Sequence, residues 1–430
     1  MSGRGAFILS AAFYRLYNAI WYPALPFALL AGGGDRHERL GRVRPGEMAL
    51  DGVPRLWFHA ASVGEIEGLS AVARGLMSEL PGASAIVTTM TEAGREAARR
   101  RIPDAAVHRL APLDHRAAVL TFIAAARPDL VVITETELWP GYLVETRRAG
   151  ARIAIVNGRI SEHAFERYIW LRPLIAEALG EVDLVLAQTL DDACRYRALG
   201  APRRRVVVTG NTKFDFARQA PPAPLRFDLD RFASAGPLLV AGSTAPGEET
   251  IVLAAWRMLA ARFPNLRLAV APRHLDRIGE LEQLFRLEAV APYIKASMIS
   301  AATDPSVRIL LLDTMGELSA LYHHATLAFV GGSLVAGRGG QSLAEPAAAA
   351  VPVLFGPFHE NQRQMAEVLL SGVGGKIVKD HRELYEACAV MLEDEARRLE
   401  AGRAAHRSLE LLGGAVNASI PLLKALLAGR

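Results

Sequence analysis

Cysteine is scarce: the 430 residues hold two, Cys194 and Cys388, far apart and outside any CxxC or clustered-histidine pattern. That excludes a disulfide framework and argues against a structural zinc site. No long basic run interleaved with aromatics accompanies the net charge of +4, so nothing directs the chain to nucleic acid. A GxxxxGK[ST] stretch is missing, and with it the P-loop. There is no repeat of solenoid period and no low-complexity tract, and lysine does not occur before Lys213.

What is present is globular in composition, 51% apolar and 22% charged, and long enough for two domains. The N-terminus stands apart. Residues 6–31, AFILSAAFYRLYNAIWYPALPFALLA, are apolar over roughly the length of a bilayer span, but Arg15, Asn18, Pro23 and Pro26 interrupt them. No small-residue cleavage site follows, so the stretch is expected to be a retained anchor or an interfacial segment, with a buried helix as the alternative. Aromatic residues at 14, 17, 21 and 22 suit a headgroup belt, and Arg36, Arg39, Arg42 and Arg44 form a basic flank. This asymmetry places the remaining chain in the cytoplasm, on an anionic leaflet.

Beyond residue 50 short Val/Ile/Leu runs alternate with helical periodicity, which predicts parallel sheets covered by helices. Strands are expected at 55–61, 84–89, 129–135, 152–157, 183–188 and 205–210, and again at 237–243, 266–272, 308–313, 326–332, 351–356 and 376–378. Helical stretches include 65–79, 114–126 and 163–178. The fold class is thus α/β, two doubly wound Rossmann-like domains facing a cleft. Expected boundaries are 1–45 for the membrane segment, 46–220 for the first domain, 221–235 for a proline-rich linker and 236–430 for the second domain, whose terminal helices can return to the first.

Polar residues gather at the expected strand ends. In HAASVGE, Ser62 and Gly64 lead into Glu65 on a first helical turn, where the carboxylate is either a general base or a dipole-favoured helix acid. In ITETELWPG, Glu135 and Glu137 share one side of an extended chain, and one of them, Glu137 by preference, caps the helix begun by Pro140. Arg159, after the Asn157-Gly158 turn, binds an anion or bridges to one of those acids. Lys213 in GNTKFD supplies a compact ammonium in an arginine-rich chain. Farther on, Ser243 precedes an acidic helix start at Glu248-Glu249 that either caps or contacts phosphate; the strand ending APRH presents Arg273 and His274, and Gly316-Glu317 opens a helix.

The stretch GGSLVAGRGGQSLAEPAA, 331–348, is not a dinucleotide fingerprint, because its glycines are out of register and it follows the fourth expected strand of its domain. It reads instead as a loop around Gly332 with free N–H groups for a phosphate, then a helix from near Ser342 with Glu345 placed for ribose hydroxyls.

Taken in order, HAASVGE, TTMTEAG, ETELWP, VNGRIS, GNTKFD, APRH, DTMGEL, FVGGSL and PVLFGP resemble the 3-deoxy-D-manno-octulosonic acid (Kdo) transferases of lipopolysaccharide synthesis, over roughly residues 10–375. The resemblance implies a GT-B fold, CMP-Kdo as donor, lipid IVA as acceptor, and attachment to the cytoplasmic face of the inner membrane. It implies an inverting transfer with Glu65 as general base and with Glu135 and Lys213 stabilising the transition state. The donor would be held by Pro272, Arg273, Met315, Gly316, Glu317, Ser342, Leu343, Ala344 and Glu345, with Ser62, Gly64, Arg159, Ser243 and Gly332 in support. No metal or other cofactor is expected, because a monophosphate leaving group can be met by helix termini and cations. Two departures stand out: Gln341-Ser342 replaces the His-Asn usual in the family, and Ala245-Pro246 stands where a histidine is usual. The competing expectations are a UDP-sugar transferase or epimerase of the same fold, and a non-catalytic membrane scaffold.

Overall fold

The computed structural model describes residues 3–31, 35–44, 46–48, 50–219, 225–288 and 292–429. They form two compact units, one running to Phe216 and regaining the chain from Gly413, the other spanning Ala217–Leu412.

The first unit is built on seven parallel strands: β1 (Arg55–Ala60), β2 (Ser84–Thr89), β3 (Val107–Leu110), β4 (Leu130–Thr134), β5 (Arg152–Gly158), β6 (Leu184–Ala187) and β7 (Val206–Val208), in the order β3-β2-β1-β4-β5-β6-β7. Alternation along β1 sends Leu56, Phe58 and Ala60 into the core on one face and Trp57 into the core on the other, so both faces are covered by helices. Strand order reverses between β1 and β4, and the loops at the carboxyl ends of these two strands lie at a topological switch point. The second unit repeats the plan with β8 (Leu238–Thr244), β9 (Arg267–Pro272), β10 (Tyr293–Lys295), β11 (Ile309–Leu311), β12 (Leu327–Val330), β13 (Val353–Phe355) and β14 (Gly375–Ile377), ordered β10-β11-β9-β8-β12-β13-β14. Its switch point lies between β8 and β12.

Strands β3 and β10 were not among those expected. VHRL carries two polar residues in four, and YIK is a three-residue edge strand, so neither shows an apolar run. The helix expected at 163–178 is two helices, Glu162–Trp170 and Arg172–Gly180, with Pro173 in the opening turn of the second. Residues 221–224 of the expected linker lie outside the described residues; farther along it, the helix Phe227–Ala233 buries Leu229, Phe232 and Ala233 in the second unit's core.

The N-terminal run also differs from expectation. It is one continuous helix, Gly3–Ala31, despite Pro23 and Pro26. Tyr14 and Tyr17 are not free for a headgroup belt: Tyr14 donates to Glu145 at 3.0 Å and Tyr17 donates to Asp114 at 2.6 Å. In the expected basic flank, Arg39 is buried and donates to the carbonyls of Met90 and Ala111 at the ends of β2 and β3, while Arg44 pairs with Asp35. Among the described residues, the segment with the length and hydropathy of a span is Glu395–Ala428 and not the N-terminal helix. That segment is itself two helices, Glu395–Leu412 and Ala415–Ala428, interrupted at Gly413-Gly414 and divided between the two units.

The returning helix Ala415–Ala428 packs on Val63–Ser78, where Gly75 leaves room for Ile420: a Cβ there would lie 2.3 Å from its Cδ1. Asp215 caps this helix, accepting the N–H groups of Gly414 at 2.7 Å and Val416 at 3.0 Å. Asp215→Ala leaves both donors buried without that acceptor and is expected to cost about 2 kcal/mol. Hydrogen exchange checks it: amides of 415–428 should lose protection first, and unchanged exchange there would contradict the assignment.

Candidate functional site

At the first unit's switch point, β1 runs through Ala61 and Ser62 into the helix Val63–Ser78, with Ser62 at its N-cap and Glu65 in its first turn. The Glu65 carboxylate turns back on the cap, accepting the Ala61 N–H at 2.8 Å and the Ser62 hydroxyl at 3.1 Å. Burial raises its pKa to about 7; those two bonds pull it down, and repulsion from Glu137 and Glu135 adds to the rise. A Cβ on Gly64 would meet nothing within 4 Å, so the protein itself does not require glycine there and the surface above this turn is open.

Glu135, just past β4, holds a left-handed conformation with φ of 55°. Its N–H donates to the Val156 carbonyl at 3.0 Å and its own carbonyl accepts the Tyr196 hydroxyl at 2.7 Å, which fix the side chain's origin. The carboxylate pairs with the Lys213 ammonium at 2.7 Å. Lys213 lies in the opening turn of the helix Thr212–Gln219, so the structure joins the two residues expected to act together. Arg159 does not bridge to Glu135 or Glu137; among the described residues Lys213 takes that place, and Arg159 contributes its carbonyl to the Thr136 hydroxyl.

Glu137 does not cap the helix Pro140–Arg148. It accepts the Trp139 indole N–H at 2.5 Å, and burial raises its pKa. The cap is Asp114, which accepts the N–H groups of Gly141 at 3.0 Å and Tyr142 at 2.8 Å, as well as the Tyr17 hydroxyl. Nothing local in the sequence marks Asp114 for this, since its partners lie on other segments. His59 is fully buried against Thr88, and desolvation lowers its pKa to about 3, so its imidazole is neutral near pH 7.

In the second unit the turn after β12 differs from expectation. Its N–H groups are not free for a phosphate. The buried Glu248 carboxylate accepts from Gly332 at 2.7 Å, Ser333 at 2.8 Å and Leu334 at 2.7 Å, and also from Ala245 at 2.8 Å. Gly331 is required by the same contact, because a Cβ there would sit 2.6 Å from Glu248 Oε2. Glu249 accepts the Thr244 hydroxyl and pairs with Arg277, so both acids at this helix start are structural, and Ser243 is a bulged position within β8 with φ of 54°.

The other expected donor residues are placed as follows. Pro272 ends β9, and Arg273 after it is exposed, its guanidinium without a partner among the described residues. Met315 is 81% exposed and Gly316 has φ of 89°, but the Glu317 carboxylate is engaged by Arg226 at 2.8 Å and by the Thr314 hydroxyl. The helix expected from near Ser342 is Ala344–Ala348, with Glu345 in its first turn. Ser342 and Glu345 are partly exposed, whereas Leu343 and Ala344 are buried and can offer a ligand only backbone. Among the described residues no group of three His, Cys, Asp or Glu side chains is arranged to hold a metal.

Two doubly wound parallel sheets, each with its own switch point, give the chain the GT-B fold. Solved structures agree: the UDP-GlcNAc 2-epimerase of Neisseria meningitidis bound to UDP-GlcNAc matches 87% of this chain and 100% of its own with TM-score 0.60 and 11% identity. The Anabaena protein Alr3699/HepE in complex with UDP-glucose matches 87% and 100% with TM-score 0.57 and 15% identity. These likenesses are of fold. In sequence, the 3-deoxy-D-manno-octulosonic acid transferase of Bordetella pertussis is 31% identical over 98% of this chain and 99% of its own. That of Haemophilus influenzae is 31% identical over 86% of each. A family model described as 3-deoxy-D-manno-octulosonic-acid transferase (kdotransferase) matches residues 35–216. The chain belongs to the 3-deoxy-D-manno-octulosonic acid transferase family.

Glu248→Ala removes the acceptor of four N–H groups, three of them buried, and is expected to destabilise the protein by about 3 kcal/mol or more. Glu248→Gln, with a single carbonyl oxygen, should recover only part of that. Thermal or urea unfolding measures both, and an alanine variant as stable as the wild type would refute the role.

Proposed function

We propose that the chain is an inverting glycosyltransferase that moves Kdo from CMP-Kdo to a hydroxyl of lipid IVA in lipopolysaccharide synthesis. The observation that carries this reading is Glu65, a carboxylate with a pKa near 7 on an open helix start, beside the Glu135–Lys213 ion pair. A general base works best when its pKa lies near the working pH. In the proposed step Glu65 takes the proton of the acceptor hydroxyl, whose oxygen bonds to the anomeric carbon of Kdo. The bond from that carbon to the phosphate oxygen breaks, and CMP leaves with its electron pair. Positive charge grows on the sugar as CMP departs, and the fixed Glu135 carboxylate stabilises it, while the Lys213 ammonium offsets the Kdo carboxylate.

On the second unit, the exposed Arg273 and the segment Ser342–Glu345 are proposed to hold the CMP phosphate and ribose, with Met315 and Gly316 lining the nucleotide. Because Glu248 occupies the N–H groups around Gly332, the phosphate is assigned to Arg273 and Ser342 and not to that turn. For the lipid acceptor, the N-terminal helix is proposed to rest on an anionic membrane surface at the cytoplasmic face of the inner membrane. Its exposed Leu16, Ile20, Tyr22, Phe27 and Leu30 supply the apolar contact.

The rival reading is a UDP-sugar enzyme of the same fold; a UDP-sugar is the kind of ligand bound by the Neisseria meningitidis epimerase. Thermal protection by CMP and not by UDP supports the proposal, and the reverse supports the rival. Incubation with CMP-Kdo and lipid IVA followed by mass analysis should find added Kdo; none would refute the reading. Glu65→Gln should fold and bind CMP yet lose turnover by about two orders of magnitude or more. The pH profile has a definite sign: Glu65 acts as the carboxylate, so kcat/KM should rise through about pH 7 and fall on the acid side as Glu65 protonates. Glu137→Gln removes a repelling charge and should move that midpoint to lower pH.

A further inference from the structure

Asn157 ends β5 within the same switch region, fully buried, and like Glu135 it holds a left-handed backbone, with φ of 53°. Its amide faces two different groups. The oxygen accepts the Thr212 N–H at 3.0 Å, at the start of the helix that carries Lys213. The nitrogen points to Glu135 Oε1 at 3.4 Å, the same oxygen that pairs with Lys213. The orientation follows from the partners: a backbone N–H can only donate and a carboxylate only accept, so an amide fits one way round. Behind it, the Asn157 carbonyl accepts the Gln188 amide at 3.2 Å.

The helix bearing Glu65 meets the same place. A Cβ on Gly68 would lie 2.6 Å from Thr212 Oγ1 and 3.3 Å from both Asn157 Nδ2 and Lys213 Cγ. One buried amide therefore touches the elements that carry Glu65, Glu135 and Lys213. We propose that Asn157 is a positioning residue for the transfer, holding the Glu135 carboxylate and the Lys213 helix in mutual register. This rests on the roles proposed above for Glu135 and Lys213.

Few side chains meet the requirement. The left-handed backbone favours asparagine or glycine. Aspartate keeps the size and the acceptor for Thr212 but sets a second carboxylate against Glu135. The charged and titratable groups around that point are Glu135 and Lys213 directly, with Glu65, Glu137 and the Tyr196 hydroxyl grouped about Glu135.

The test compares full-length Asn157→Asp and Asn157→Gly with the wild type between about pH 6 and 9, measuring kcat, the KM for CMP-Kdo, melting temperature and calorimetric binding of CMP alone. Asn157→Asp is expected to bind CMP normally and to lose kcat about tenfold or more at the alkaline end. Its deficit relative to the wild type should narrow toward acid as the added carboxylate protonates. Asn157→Gly should lower kcat with KM unchanged and a deficit that is flat with pH. Wild-type kcat in either variant overturns the inference, and so does an Asn157→Asp deficit as flat as that of the glycine variant. If the aspartate variant does not fold, the glycine variant decides alone by its kcat. Glu135→Gln and Lys213→Ala run alongside: full turnover in both would overturn the underlying roles, whereas lost turnover there with normal turnover in the Asn157 variants would overturn this inference alone.

Discussion

Parallel sheets end at their carboxyl edges in loops whose backbone N–H groups have no strand to pair with, and in this chain carboxylates meet them. Asp114 takes two such groups at one helix start, Asp215 takes two at another, Asp192 accepts the Ile160 N–H, and Glu248 takes three around one turn and a fourth ahead of its own helix. A buried N–H left without an acceptor costs about 1–3 kcal/mol, so these acids are bound by structural need. Against that background Glu135 differs from these four: among the described residues its carboxylate is met by a lysine and an amide and by no backbone group.

Glu65 stands between the two kinds. It closes on the cap of its own helix through Ala61 and Ser62, and it faces the open surface above that turn. Both oxygens are engaged, yet burial and two neighbouring acids outweigh the bonds and leave the pKa near 7. Asp114 shows the same balance, since three donors do not offset its burial and its pKa is also raised to about 7. The difference lies in access: Asp114 is sealed by Tyr17 and a helix start, whereas Glu65 sits on a turn over which Gly64 leaves space.

Much of this was legible in the chain. Short runs rich in Val, Ile and Leu marked twelve of the strands, and the acids and lysine at their ends marked the switch point of the first unit. What escaped lacked a local signature. VHRL and YIK are too short and polar to read as strands. The bond from Glu248 to Ser333 spans 85 residues and that from Asp114 to Tyr142 spans 28, so nothing near either acid in sequence announces its partner. The glycines of GGSL were correctly a bend, but counting its N–H groups as free failed because their acceptor is a side chain on a distant helix. The tyrosines of the N-terminal helix misled for the same reason: composition suggested lipid headgroups, while buried acids at 114 and 145 supplied partners no window could contain.

The two switch points thus differ in what they leave uncommitted. In the first unit that is a carboxylate near neutrality and a paired carboxylate and ammonium, groups able to accept a proton and to answer charge that appears during reaction. In the second, the acids at the head of the helix Glu248–Arg262 are tied down by four N–H groups, a hydroxyl and a guanidinium. A free carboxylate there would repel an anionic nucleotide. With those charges offset, the exposed Arg273 and His274 beyond β9 and the partly exposed Ser342 and Glu345 are polar groups that the sheet's carboxyl edge presents. Where the family usually has an imidazole, Gln341 stands against Gly332, with Cγ and Nε2 each 3.3 Å from where a Cβ on that glycine would be. On the roles proposed above, Glu65 at the edge of the first sheet handles the proton, and Arg273 and Ser342 at the edge of the second meet the phosphate.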